Sequence, residues 1–408
     1  MKKEIDIHNY PKKLEQTIRL VKETRISEEN KKLILDFKDF SSLEGGMGLP
    51  RIVRYLGILK DWAKILEVDF DKATKDDLKR AVRVIQENER YSAWTKATYK
   101  IMLKRFYRWL KNTGKDHPDE VKWIDTSIKR TEKKLISNGE LLTEEEVKKL
   151  IEAAEHPRDK AFVSCLYESG ARIGEIASLQ IKNVNFDEHG AVLDVLGKTG
   201  PRPIRIISSV PYLATWMENH PLKCDRQAPL WVNIGTTRKN GDVMYGTIRM
   251  MLQRLFSKSG IKKRFNPHMF RHARATFLAD HLTEFQMNQY FGWIQGSEMP
   301  STYVHMSGKK IDSSILALNG IKSVDGHKES SMKPRICPRC DTINSADGRF
   351  CLKCGGIMDI KTAFEIEEKK ETVNNVNSVM NMLMKDKEFL DVFVAKVKAL
   401  GLQDKIVT

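Results

Sequence analysis

Six residues spread over the middle of this 408-residue chain have side chains suited to breaking a phosphodiester. The reaction needs a nucleophile, donors for the charge that builds on phosphorus, and a proton for the leaving oxygen. Tyr303 offers a phenol. With a pKa of about 10 it attacks poorly until nearby cations favour its anion. Arg172 and Arg271 each bring a planar fork of donors that matches two non-bridging oxygens. His268 and Arg271 stand three apart behind Asn266-Pro267, which reads as a helix capped by Asn266 with proline at its first position. That spacing puts both on one face, where the helix N-terminus adds partial positive charge. Lys198, in the turn Gly197-Lys-Thr-Gly200, can reach a scissile group and protonate a 5′ oxygen. Trp293 follows Gly292, a helix-ending glycine, and offers an indole N–H. This set can act without a metal.

Singly, each residue has an ordinary structural alternative. A tyrosine or tryptophan packs, a turn lysine is solvated, and Arg172 can pair with Glu175. The conjunction of ordered boxes favours chemistry. Ser169-Gly-Ala-Arg172-Ile-Gly-Glu-Ile-Ala-Ser-Leu179, Asn266-Pro-His-Met-Phe-Arg-His-Ala-Arg-Ala-Thr276 and Ser301-Thr-Tyr-Val-His305 resemble the first arginine box, the His-x-x-Arg box and the nucleophile box of tyrosine recombinases, the phage integrase family. The resemblance covers roughly residues 75–315. It implies a covalent 3′-phosphotyrosine at Tyr303, a released 5′ hydroxyl, and a phosphate held by Arg172, His268, Arg271 and Trp293. Lys198 would be the general acid, Glu175 a brace for Arg172, and His272 and His305 supporting groups. Neither a nucleotide such as ATP nor a catalytic metal would be needed. Many family members carry a second histidine where Trp293 stands; both rings donate, but a proton-transfer role does not carry over to this position.

Positioning such a site requires a mainly α chain with a small β-hairpin, an α+β fold. Amphipathic stretches near 11–22, 28–40, 49–66, 75–88 and 93–111 predict a helical, DNA-clamping core-binding domain over 1–112. From Arg90 to Lys111 there are seven basic residues and no acid, and Lys96, Lys100, Lys104 and Arg108 recur every four positions. That stripe suits a phosphate backbone, as does the run Lys262-Lys263-Arg264 before His268. Residues 113–141 read as a linker and 142–320 as the catalytic domain, opening on a Thr143/Glu146 capping box. Its predicted elements are helices near 144–154, 158–168, 174–179, 211–218, 245–258, 267–281 and 284–291, with a hairpin of 191–196 and 203–208. A second linker spans 321–334.

Cys337-Pro-Arg-Cys340 and Cys351-Leu-Lys-Cys354, ten residues apart, form paired Cys-x-x-Cys knuckles in a ribbon over 335–358. Four thiolates close a tetrahedral site, so one structural Zn²⁺ is expected, ahead of an Fe–S cluster or a redox pair. Such an appendage is similar to that of some archaeal or mobile-element integrases. The tail, 359–408, is helical with an apolar stripe that must dock on the catalytic domain or join protomers. Protomer contact is preferred, because the resembled family recombines as a tetramer on two duplexes.

Lysine and arginine number 70 against 54 acids, a net charge of +16, which favours a polyanionic partner. No stretch is long and apolar enough for a bilayer, and the N-terminus lacks a secretory signal's apolar core. The expectation is a prokaryotic, cytoplasmic, site-specific recombinase or integrase acting as a homo-tetramer on double-stranded DNA, with no membrane partner. A type IB topoisomerase-like relaxing enzyme and an inactive DNA-binding regulator that keeps the fold are the alternatives.

Overall fold

The computed structural model describes residues 5–129, 138–235, 239–307, 319 and 330–400; of residues 138, 304–307, 360 and 374 it describes the backbone alone. Six helices come first: α1 (Tyr10–Glu23), α2 (Glu28–Leu43), α3 (Leu49–Leu66), α4 (Lys75–Glu87), α5 (Ala93–Leu110) and the short α6 (Asp119–Lys122). Their starts follow from local chemistry. Ser27, Thr74 and Ser92 each accept a backbone N–H three residues on, and Thr74 and Asp77 form a reciprocal capping box. The apolar stripes meet in one core around Phe37, Leu56, Trp62, Phe70, Phe106 and Tyr107. Trp62 donates to the Tyr99 carbonyl and Tyr107 to that of Phe70, so the two buried polar tips are satisfied.

The second unit packs α7 (Glu144–Ala153), α8 (Pro157–Ser169), α9 (Ile173–Ala177), α10 (Val210–Glu218), α11 (Tyr245–Lys258) and α12 (His268–Ala279) with a three-stranded antiparallel sheet. The sheet runs in the order β1 (Val184–Asp187), β2 (Gly190–Gly197), β3 (Gly200–Ile206). β2 and β3 form the expected hairpin, closing at Gly197 opposite Gly200. β1 is an addition: its run Val-Asn-Phe-Asp is too short and polar to read as a strand, and β2 recruits it as an edge. At the end of β3 the buried Glu168 carboxylate accepts from the backbone N–H groups of Ile207, Ser208 and Ser209. This ties the sheet to α8, just ahead of Arg172. A smaller cluster, Ala275, Ala279, Met287, Phe291 and Tyr303, joins α12 to α13 (Glu284–Phe291) and α14 (Met299–Ser307).

Module edges differ from the sequence reading in two places. Ile7 packs into the second core, where its carbonyl accepts the Tyr245 N–H at 2.9 Å and His8 lies against the Tyr245 ring, so residues 5–8 leave the helical unit that follows them. At the other end, Met332 is buried in the same core while Ser330 and Ser331 bond Glu144. The end of the expected second linker is therefore anchored. Residues 130–137 and 321–329 of the two linkers lie outside the described residues.

The ribbon has a two-stranded sheet, β4 (Arg335–Ile336) with β5 (Ile343–Asn344). It leans on α10, where the Tyr212 hydroxyl donates to Asp347 at 2.5 Å. The tail is helical as expected, in two helices, α15 (Ile360–Leu383) and α16 (Lys387–Ala399), interrupted where Asp386 caps the second. Val373, Val376, Val379, Met382 and Val392 on these helices are exposed. No helix among the described residues is long and apolar enough to cross a membrane.

Candidate active site and metal centre

Arg172 stands at the start of α9, two residues after Gly170 ends α8 in the left-handed conformation (φ +55°). A side chain at Gly170 would come within 2.7 Å of the Phe291 ring, so the close approach of α8 to α13 requires glycine there. Arg172 Nη1 and its own backbone N–H both donate to Glu175, each at 2.8 Å.

Glu175 is only 5% exposed and has a second cation that sequence reasoning missed. Arg202 of β3 donates Nη1 and Nη2 to the two carboxylate oxygens at 3.1 and 2.7 Å, and its Nε to the Tyr290 carbonyl at 2.9 Å. Burial alone would raise the Glu175 pKa; the hydrogen bonds and charge of Arg202, then those of Arg172, hold it below the ordinary carboxylate value. The signal for Arg202 was in the strand's alternation, since Arg202, Ile204 and Ile206 share the buried face while Arg205 points out. Three sites are thereby linked through one carboxylate: the Arg172 turn, the Lys198 hairpin and the end of α13.

Lys198 is exposed at the tip of that hairpin. The neighbouring Thr199 hydroxyl reaches the Gly292 carbonyl at 3.3 Å, which docks the tip beside Trp293. Gly292 is left-handed (φ +61°), and a Cβ there would meet Arg202 Nη1 at 2.9 Å and Thr199 Oγ1 at 3.0 Å.

On α12, His268, Arg271 and His272 share a face. Arg271 is 6% exposed and donates to the carbonyls of Gly170 (3.1 Å) and Phe291 (2.8 Å), with its guanidinium 5.0 and 5.2 Å from the Phe291 and Trp293 rings. Desolvation and then the charge of Arg172 pull its pKa down to about 10, so it stays cationic at neutral pH. His268 is exposed at the rim, its backbone N–H bonded to the Asn266 side chain. Its pKa is lowered by partial desolvation, then by Arg271 and Arg172.

Tyr303 on α14 is 1% exposed. Its ring lies parallel to Trp293 at 5.5 Å, 4° between planes, and its hydroxyl is 2.6 Å from His272 Nδ1. Burial raises the Tyr303 pKa and the Arg271 charge opposes that rise. The His272 pKa is pushed down to about 4 by burial, then by His268 and Arg271. The structure thus brings Arg172, His268, Arg271, Trp293 and Tyr303 into one cluster, with Lys198 on the adjoining hairpin. The side chain of His305 lies outside the described residues.

The expected phosphate-binding lysines fare differently. Lys96 donates to the Gln86 carbonyl at the end of α4, and Lys104 to the carbonyls of Ile124 (3.0 Å) and Lys122 (3.4 Å) at the end of α6. Both ammonium groups serve the unpaired carbonyls of helix C-termini, and Lys100 and Arg108 are half-buried beside them. The side chains of α5 that project furthest are Trp94 and Ile101. Lys263 is spent on Glu146 (2.6 Å) and the Leu141 carbonyl (2.5 Å). Lys262 and Arg264 are exposed, and Arg264 borders a cleft of about 730 Å³ together with Arg249, Phe265 and His272.

In the ribbon, the four cysteine sulfurs lie within 4.8 Å of one another, Cys337 to Cys354 at 3.6 Å and Cys340 to Cys351 at 3.5 Å. A tetrahedral zinc with Zn–S bonds of about 2.3 Å separates its sulfurs by about 3.8 Å, so the donor set fits that ion. All four ligand positions would be filled by protein.

Comparison with known proteins follows the same outline. The profile of the phage integrase family matches residues 140–310. Tyrosine recombinase XerA of Pyrococcus furiosus is 28% identical over 188 residues, 45% of this chain, and the chain spans 64% of that relative's length. Tyrosine recombinase XerD of Proteus mirabilis is 25% identical over 307 residues, 70% of this chain and 91% of that protein. A lambda integrase dimer bound to a COC′ core site superposes with a TM-score of 0.54 at 16% identity, over 68% of this chain and 78% of that one. At that identity the likeness is one of fold.

Proposed function

The chain belongs through residues 140–310 to the phage integrase family, the tyrosine recombinases, and on that premise we propose that it cuts and rejoins double-stranded DNA at a specific site. Tyr303 Oη attacks the scissile phosphorus, a 3′-phosphotyrosine forms as the P–O5′ bond breaks, and Lys198 protonates the departing 5′ oxygen. Arg172 and Arg271 bind the non-bridging oxygens, where developing charge makes each donor worth roughly 10²–10³ in rate. His268 and the Trp293 indole complete the cradle. The bond energy is kept in the phosphotyrosine, so rejoining a partner strand reverses the step without ATP or a catalytic metal.

The observation that carries this reading is the seating of Tyr303. Its ring stacks on Trp293, and the Trp293 face lies under Arg271. Ordinary packing would account for the stack but not for a buried arginine set against the same indole beside a second arginine and a histidine.

Around that centre, the DNA path runs over the cleft bordered by Arg249 and Arg264, with Lys262 beside it, and along α5 through Lys100 and Arg108. The four cysteines hold one structural zinc, and the two tail helices join protomers in a tetramer on paired sites. A cytoplasmic mobile-element integrase fits these parts. Purified protein incubated with nicked duplexes tiling the DNA that flanks its gene should trap a covalent complex on one of them. Equal trapping by Tyr303→Phe would refute the nucleophile assignment.

A further inference from the structure

His272 has no place in the phosphate cradle, yet it is the residue that meets the nucleophile's hydroxyl. The Tyr303 oxygen lies 2.6 Å from His272 Nδ1, with 5.9 Å between ring centroids and 30° between ring planes, and Trp293 stacks on a face of the tyrosine. The stack on Trp293 holds the tyrosine ring, and so aims its phenolic oxygen at His272. His268, the histidine of the His-x-x-Arg box, sits one turn earlier with its ring centroid 6.3 Å from that of His272 and its side chain exposed.

From this geometry we propose that His272 is a catalytic residue, the base that takes the Tyr303 proton as the tyrosyl oxygen attacks phosphorus. The proposal rests on the reading of Tyr303 as nucleophile. For Nδ1 to accept, the ring proton must sit on Nε2 and the imidazole must be neutral. Its surroundings keep it so. His268 and Arg271 share its helix face, Tyr303 faces it from α14, and the cleft it borders adds Arg249, Lys263, Arg264 and Glu140. Burial first, and then this positive charge, makes free His272 a feeble base. A phosphodiester anion seated between Arg172 and Arg271 offsets those cations, so the histidine gains basicity when substrate is bound.

The balance is simple. One proton passes from Oη to Nδ1, the oxygen's electron pair forms the new P–O bond, and the P–O5′ bond breaks with its oxygen taking the Lys198 proton. On rejoining, a 5′ hydroxyl gives its proton back to the neutral Lys198 amine and attacks the phosphotyrosine; the P–O bond to Tyr303 breaks and the departing phenolate recovers its proton from His272.

The rival role for the same hydrogen bond is storage, a latch holding Tyr303 until DNA arrives. Single-turnover cleavage by the full chain separates the two, on the nicked duplex that traps wild type, with His272→Ala and His272→Asn. Asparagine keeps an acceptor oxygen near the Nδ1 position but takes no proton. Both variants should cleave roughly 10²–10³-fold slower at pH 7 with DNA affinity unchanged, and the deficit should narrow as rising pH ionises the phenol directly. Installing 3-fluorotyrosine at position 303, a more acidic phenol, should recover part of the lost rate in both. Faster or unchanged cleavage by His272→Ala overturns the proposal in favour of the latch. Full activity in His272→Asn reduces His272 to a positioning group, and a loss that fluorotyrosine leaves untouched marks a structural role. If wild type itself traps no duplex, it is the Tyr303 reading that fails.

Discussion

Replacing Arg202 by methionine should destabilise the catalytic unit while leaving its outline intact. The side chain makes three hydrogen bonds, two to Glu175 and one to the Tyr290 carbonyl, and both arginine and carboxylate are less than a tenth exposed. Removing one partner of a buried pair costs about 3–5 kcal/mol, because the other charge stays desolvated. Glu175 keeps its bonds from the Arg172 side chain and backbone, so the lower end applies, about 3 kcal/mol. For a unit of this size each kcal/mol moves the midpoint by about 2–4 °C, giving a fall of roughly 6–12 °C in calorimetry at pH 7. The pH dependence gives a second check. The Glu175 pKa is depressed in the fold, so its contribution is present above the unfolded value of about 4.3 and fades as pH falls through the folded one. The gap between wild type and Arg202→Met should therefore be full at pH 7 and shrink in acid. A midpoint within about 2 °C of wild type, or a gap that is the same in acid, would refute the clamp.

Other perturbations test neighbouring parts. Gly292→Ala combines a left-handed backbone with a Cβ pressed on Arg202 and Thr199, and should cost at least about 1 kcal/mol and slow cleavage by displacing the Lys198 hairpin. Lys104→Ala should lower the stability of the helical unit by roughly 1 kcal/mol through loss of its bonds to the Ile124 and Lys122 carbonyls. If it instead leaves stability alone and reduces the slope of DNA affinity against log salt by about one, the lysine meets a phosphate. Elemental analysis should find one zinc per chain, and chelation or Cys337→Ser should lower the unfolding midpoint of the ribbon; a ribbon that melts identically without metal contradicts the structural role.

Local signals carried the sequence reading a long way. Caps and apolar periods outlined the helices, as at Thr143 with Glu146, and the Gly-Lys-Thr-Gly turn marked the hairpin. His268 and Arg271 were legible from one short box, because helix geometry alone puts both on one face, and His272 entered as a supporting group through the family resemblance. What escaped was long-range. Arg202 meets Glu175 across 27 residues and Lys263 meets Glu146 across 117, and nothing near either residue announces its partner. The bond between His272 and Tyr303 is of the same kind, since it spans two helices that only the packing of α14 on α12 brings together. The α5 lysines show a further limit: a basic stripe specifies charge, but whether it faces a phosphate or a helix end depends on which element folds beside it.

The most direct measurement is mass spectrometry of the trapped protein–DNA adduct after nuclease and protease digestion. The account requires a nucleotide joined through its 3′ phosphate to the peptide carrying Tyr303. A nucleotide on any other residue, or an adduct through a 5′ phosphate, would contradict it.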